Sequence, residues 1–164
     1  MLRLEVPTEV ETDTKRDVVS LLGKVYDPAG FITPYVTPLK VLLQDIWIAG
    51  HGWDEVIPED LKTRAVAAVE HLGGARELEL PRWLKTTKTS SVTLHCFVDA
   101  SLRLYAGVIY VRTETPTGVV TNLLASKARL VPPNLKQGGF SPRFELLACV
   151  LGSRLVAAVQ VSLE

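Results

Sequence analysis

The sequence predicts an α+β protein whose first half is helical and whose second half is a small antiparallel sheet followed by one long helix. Three observations predict it. Apolar residues recur at helical spacing from Thr14 to His71, the polar run Lys85–Ser91 interrupts that pattern, and three strand-like runs then lead into a long apolar helix. The expected division is residues 1–84 for the helical part and 91–164 for the α/β part.

Thr14 is placed to cap the first helix, and Asp17 three residues later supplies the second member of a capping box. Val18, Leu21, Leu22 and Val25 then form one apolar face, and Asp27-Pro28-Ala29-Gly30 breaks the helix. A second helix is expected over Tyr35–Ile48, with Pro34 in its first turn. Pro38 either kinks that helix or marks its start, because proline lacks the donor an interior position needs. Gly50 and Gly52 end it. A third helix runs from Pro58 or Glu59 to about His71, with Leu61, Ala65, Ala68, Val69 and Leu72 on one face and Gly73-Gly74 as its stop. Glu77–Trp83 reads as a short strand or an extended connector.

After the polar run come Val92–Asp99, Tyr105–Thr113 and Val119–Ala128, joined by turns, which is the spacing of an antiparallel meander. Val131–Gly139 holds two prolines and two glycines and reads as a loop. The last helix is expected from Pro142 to Val161, with Ser141 as its cap.

Composition narrows the function classes. A hydrophobic share of 47% supports a real core and excludes a chain disordered by composition. Lys+Arg and Asp+Glu are both 18, which argues against a strongly basic nucleic-acid arm or an acidic tail and does not exclude local basic patches. Met1–Thr14 is polar and mixed, without the pattern of a secretory signal. No run is read as reaching the ~18 apolar residues of a membrane span, so no membrane partner is expected. Cys96 and Cys149 have no metal-ligand spacing with His51, His71 or His95, and read as buried free thiols of an intracellular (cytoplasmic or nuclear) protein.

Two segments carry a family resemblance. The first runs from Thr14-Lys15-Arg16-Asp17 through Tyr26-Asp27-Pro28-Ala29-Gly30-Phe31 to Leu43, and on to Asp45-Ile46-Trp47 and Trp53-Asp54. The second is Leu94-His95-Cys96-Phe97-Val98-Asp99-Ala100-Ser101, followed by Tyr105-Ala106-Gly107-Val108-Ile109-Tyr110, by Ala125-Ser126-Lys127-Ala128-Arg129, and by Pro142-Arg143-Phe144-Glu145-Leu146-Leu147-Ala148. In order and spacing these resemble the Pao/BEL-type LTR retrotransposon polyprotein. The first is similar to the thumb and connection that follow the reverse transcriptase palm, and the second to the opening half of the element's ribonuclease H domain. The peptidase label attached to this family region finds no support, since Asp99-Ala100-Ser101 is not the Asp-Ser/Thr-Gly turn of an aspartic protease.

The resemblance assigns Asp99 and Glu145 to the first two acidic ligands of a two-metal nuclease, with Mg²⁺ as the ancestral cofactor. The chemistry agrees in kind, because hard cations take oxygen ligands and in-line displacement at phosphate uses a pair of them. Asp99 ends a strand expected to be buried, where a lone carboxylate would be costly unless it stood at a mouth or met a cation. Glu145 opens an apolar helix whose Ala148, Cys149 and Gly152 are small enough to let that face approach a sheet. From the residues alone, Asp99 as a turn residue and Glu145 as a partner of the helix dipole stay open. The family has at least two further carboxylates, whereas the only acidic residue after Glu145 here is Glu164, and Glu114 sits in a turn. The expectation is a truncated ribonuclease H-like unit, inactive alone, with an open sheet edge. Lys15, Arg16 and Lys24 match a thumb helix that would meet a nucleic-acid backbone, with solvated surface charge as the alternative. Trp47, Trp53 and Trp83 read as core anchors, with base stacking as the alternative.

Three functions follow as expectations: a retroelement-derived fragment without activity of its own; a captured scaffold that self-associates or binds a partner through the open edge; and part of an active Mg²⁺-dependent ribonuclease H completed by other sequence. The partners implied are an RNA/DNA hybrid, the remainder of the polyprotein, or a second copy.

Overall fold

The capping box predicted at Thr14 is formed. In this computed structural model, which describes residues 6–7, 10–81, 83–84, 90–138 and 142–163, the Asp17 amide donates to Thr14 Oγ1 (3.2 Å) and the Thr14 amide donates to Asp17 Oδ2 (3.0 Å). It starts α1 (Lys15–Lys24). The helix α2 (Thr33–Ile48) begins two residues earlier than expected, so Pro38 lies inside it and does not mark its start. The Thr37 hydroxyl donates to the Thr33 carbonyl (2.7 Å) across the turn where Pro38 supplies no donor. The chain reaches α2 through Gly30, whose φ of +78° is a left-handed conformation that suits glycine, and the Asp27 carboxylate accepts the Ile32 amide (2.8 Å). The third helix, α3 (Glu59–Gly73), runs into a 3₁₀ turn at Gly74–Glu77.

The chain forms two compact units, residues 2–28 with 32–80, and residues 29–31 with 81–164. The helical unit has two apolar clusters. Leu21, Ile32, Val36, Leu39, Ala68 and Leu72 centre one, and Val18, Leu42, Ile46, Ile57, Leu61 and Ala65 the other. Every apolar residue expected on the α3 face except Val69 is buried there. Of the expected boundary run Lys85–Ser91, residues 85–89 lie outside the described residues, as does the Ser141 cap, and Ser91 already belongs to the first strand.

The second unit holds β1 (Ser91–Ala100), β2 (Leu104–Thr115) and β3 (Gly118–Leu130) in the order β1-β2-β3, all antiparallel, followed by α4 (Pro142–Leu163). The predicted α+β class and the meander are therefore present. Gly118 takes a φ of +138° in the β2–β3 turn. On β2, residues 105, 107, 109, 111 and 113 are buried and their neighbours are not, which marks the face that α4 covers. The register of β3 against β2 slips between Ile109 and Tyr110, leaving Leu124 unpaired as a bulge. The stretch expected as one loop before α4 contains a 3₁₀ segment, Pro133–Gly138.

Glycine sets how closely α4 approaches the sheet. A Cβ at Gly152 would overlap Val98 Cγ1 and stand 3.2 Å from Cys96 Sγ, and one at Gly107 would stand 3.4 Å from the Gly152 Cα. Phe144, Ala148 and Leu151 close the rest of that face against Tyr105 and Val131. Pro142–Ser162 is nonetheless long and apolar enough to cross a membrane, with a mean hydropathy of 1.7, a feature missed in the sequence because Arg143, Glu145 and Arg154 punctuate it.

Two stability effects follow. Thr14→Ala should cost about 1 kcal/mol through loss of the cap, read as a lower urea midpoint with an unchanged slope. Gly152→Val should cost about 1–3 kcal/mol by overpacking α4 against β1, and Val98→Ala in the same chain should recover part of it.

Candidate functional site

Asp99 is the penultimate residue of β1, exposed and paired in register with Ala106. The strand predicted to be buried is open along nearly its whole length, with only Leu94 and Ala100 half-buried. The reason is topological. β1 is an outer strand of the sheet, and among the described residues no strand lies along its free edge. Immediately after Asp99, Ser101 closes the tight connection to β2. Its hydroxyl accepts the amides of Arg103 and Leu104 (both 3.2 Å) and donates to the Leu104 carbonyl (3.1 Å). Ser101 was not singled out from the sequence, where only its position between two strand-like runs hinted at a turn.

Glu145 is exposed in the first turn of α4. The direction of the helix is set by its contacts. Phe144 and Ala148 sit with Tyr105 and Ala100, whereas Gly152 sits on Val98 and Cys96. The N-terminus of α4 is therefore at the end of the sheet where β1 finishes, so Glu145 and Asp99 lie at the same end of the unit. They come from opposite sides of it. Val98 faces α4, so strand alternation turns Asp99 to the other face. A cation shared by both carboxylates would have to sit off the end of β1, beyond Ala100. Among the described residues no group of three or more His, Cys, Asp and Glu side chains is arranged to hold a metal. Glu114 pairs with Ser91 at the far end of the sheet, eight residues from Ala106 or roughly 27 Å along β2. It is also ion-paired with Arg112, so it cannot join Asp99.

The small-residue face expected on α4 forms in part. Ala148 and Gly152 are buried against the sheet, but Cys149 is exposed, and so is Cys96, correcting the expectation of two buried thiols. Cys96 borders the α4–β1 contact at Gly152. Partial burial pushes the Cys96 thiol up from its ordinary value.

The three cations expected to meet nucleic acid have different surroundings. Lys15 is 7% exposed. Its ammonium stands 4.6 Å from the Trp47 ring centre and 5.5 Å from that of Trp53, and the two rings meet edge to face at 5.5 Å. Arg16 makes a forked pair with Asp54, Nε to Oδ1 at 2.6 Å and Nη2 to Oδ2 at 3.0 Å. This hydrogen bond raises the Arg16 pKa and lowers that of Asp54. The Gly52 amide and then His51, both bonded to Glu55, hold its carboxyl below the usual range. The Arg16 amide donates to the Trp53 carbonyl (3.1 Å) and the Ile57 amide to that of Asp13 (2.9 Å). Lys15 and Arg16 thus fasten the start of α1 to the α2–α3 loop, and a phosphate would have to displace those contacts. Lys24, at the end of α1, is exposed. The tryptophans are not core anchors. Trp47, Trp53 and Trp83 are 57%, 44% and 63% exposed, the first two because they cover an ammonium and not an apolar core.

No curated protein and no solved structure matches this chain. A family model does, over residues 14–164, which takes in both the helical unit from its first cap and the whole β1–β3 and α4 arrangement. The chain belongs to the Pao retrotransposon-like RNaseH-like domain family.

Proposed function

We propose that the sheet unit supplies the first two acidic ligands, Asp99 and Glu145, of a ribonuclease H-type site for an RNA/DNA hybrid, and that this chain alone does not cleave. The observation that carries the proposal is their placement. One carboxylate ends β1 and the other opens α4 at the same end of one sheet, with the edge of β1 uncovered beside them. Carboxylate oxygens are the donors Mg²⁺ prefers, so the chemistry of the pair fits that ion. Their number does not fit a two-metal reaction, which needs several carboxylates around both ions, and no cleavage step is derived from two. What the residues do here is concentrate negative charge off the end of β1, where a further ligand from a strand laid along the free edge would complete the set. The helical unit is, in the same proposal, the thumb and connection of a reverse transcriptase, supported by its position ahead of the nuclease-like sheet.

A second function has its own supporting observation. Val92, Phe97 and Val98 are exposed on the outer strand, Phe97 at 59%, which suits pairing with a partner strand or a second copy in a scaffold.

Calorimetric titration with Mg²⁺ separates the two. Heat of binding is expected from the intact chain and not from Asp99→Ala or Glu145→Ala, with no cleavage of a labelled hybrid by any of the three. Unchanged binding in Asp99→Ala would remove the ligand assignment. Hydrolysis by the unmodified chain would remove the claim of inactivity. A change in oligomeric state on Phe97→Asp, without any Mg²⁺ binding by the parent, would favour the scaffold.

A further inference from the structure

A second charged feature lies on the other flank of α4. Tyr105 pairs with Arg129 and Gly107 with Lys127, so both cations project from β3 to the face that carries α4. The helix is seated mainly over β1 and β2, which leaves a cleft between its outer flank and β3. That cleft has a volume of about 320 Å³ and is lined by Lys127, Arg129 and Arg154 over Tyr105, Leu147 and Leu151 among others. Among the described residues no carboxylate lines it. None of the three cations has a hydrogen-bond or ion-pair partner among the described residues, whereas Arg16, Arg64 and Arg112 elsewhere are all paired. Three like charges held along one cleft repel one another, so the arrangement favours an anion that satisfies them together.

The cleft opens at the same end of the sheet as the acidic pair. Tyr105, beside Arg129, pairs across the sheet with Ala100, the neighbour of Asp99. Two strand spacings, about 10 Å, separate β1 from β3 there. Lys127 and Arg129 stand two residues apart on one strand face, about 7 Å, which spans two steps of a nucleic-acid strand rising about 3.4 Å each. The leucines beneath give the long aliphatic stems an apolar surface to lie on, leaving the charged heads at the rim. Guanidinium groups match phosphate oxygens as a fork.

We infer that Lys127, Arg129 and Arg154 form a backbone grip, which holds the phosphodiester chain of a nucleic acid as it runs from the Asp99–Glu145 end of the sheet along the outer flank of α4. The inference rests on the proposal that the substrate is a nucleic acid, but it does not require a bound metal.

The test is fluorescence anisotropy of the full chain with a labelled RNA/DNA hybrid, in EDTA so that no metal ion bridges the carboxylates to the phosphates. The Lys127→Ala/Arg129→Ala/Arg154→Ala variant should bind at least tenfold more weakly, and the slope of log affinity against log salt should be shallower by about 2–3. Arg129→Lys with Arg154→Lys should keep most of the slope, which a general loss of folding would not allow. Lys40→Ala, on α2, controls for loss of charge elsewhere and should change nothing. An unaltered slope in the triple alanine variant overturns the inference, and so does failure of the parent chain to bind the hybrid. Binding of a glutamate-rich amphipathic peptide through these cations, with none of the hybrid, overturns it in favour of a protein dock. Mg²⁺ titration separates its failure from that of the metal proposal. Asp99-dependent Mg²⁺ binding with an unaltered salt slope sinks the grip alone. A cation-dependent slope without Mg²⁺ binding sinks the metal site alone.

Discussion

The seating of α4 on β1 and β2 through Gly152 and Gly107 is the contact on which the rest of the sheet unit depends. A helix normally stands off a sheet by the thickness of its side chains. Here Val98 and Cys96 occupy the space a Cβ would need at Gly152. That close approach fixes the axis, and with it three consequences. Glu145 comes to the end of β1 that carries Asp99. Phe144, Ala148 and Leu151 close over Tyr105 and Val131. The helix lies mainly over β1 and β2 and touches β3 less, so the cleft with Lys127, Arg129 and Arg154 exists at all. One glycine contact thus relates the acidic end and the basic flank as two sides of one helix.

Electrostatics divides the cations of this protein into those already used and those held in reserve. Lys15 lies under two indoles, where cation–π attraction offsets its loss of water, and Arg16 is forked to Asp54. These contacts tie α1 to the loop between α2 and α3, and their stabilising role is structural. The carboxyls concerned, Asp54 and Glu55, are both held low by their partners, so what they contribute to folding is present at neutral pH and is lost as pH falls through their depressed values. Both are exposed, and salt screens the Arg16–Asp54 pair. Lys127, Arg129 and Arg154 have no such partners among the described residues. A balanced net charge over the whole chain therefore leaves room for a local excess of positive charge along the outer flank of α4.

In the proposed function, the acidic pair is two ends of a coordination set that needs further ligands, and not a site in itself. Asp99 leaves the strand on one face and Glu145 approaches from the other, so the only place they share is off the end of β1. Among the described residues no strand covers the edge of β1 at that end, and such an edge is the natural template for one more strand. On the proposed function, a strand added there would complete the sheet and the ligand set together, and the exposed Phe97 and Val98 lie on that strand edge of β1.

The capping box at Thr14, the α3 face, the meander and the long last helix are legible in the sequence, because caps, breakers and periodicity act within a few residues. The choice between a kink and a start at Pro38 depended on whether the chain ahead of it could already be helical, and Thr33 with Pro34 made it so. The exposure of Cys96, Cys149 and the tryptophans was not legible, since it depends on which faces stay uncovered after packing. Nor was the cleft. Lys127 and Arg129 alternate visibly on one strand, but Arg154 lines the same cleft only because α4 packs mainly over β1 and β2. The sequence by itself determined the elements and their order. The tertiary structure alone decided that Asp99 and Glu145 share an end and approach it from opposite faces, and which cations lack a partner among the described residues. The physical reason is that both depend on the helix-to-sheet approach at Gly152, a contact between residues more than fifty positions apart that no local pattern encodes.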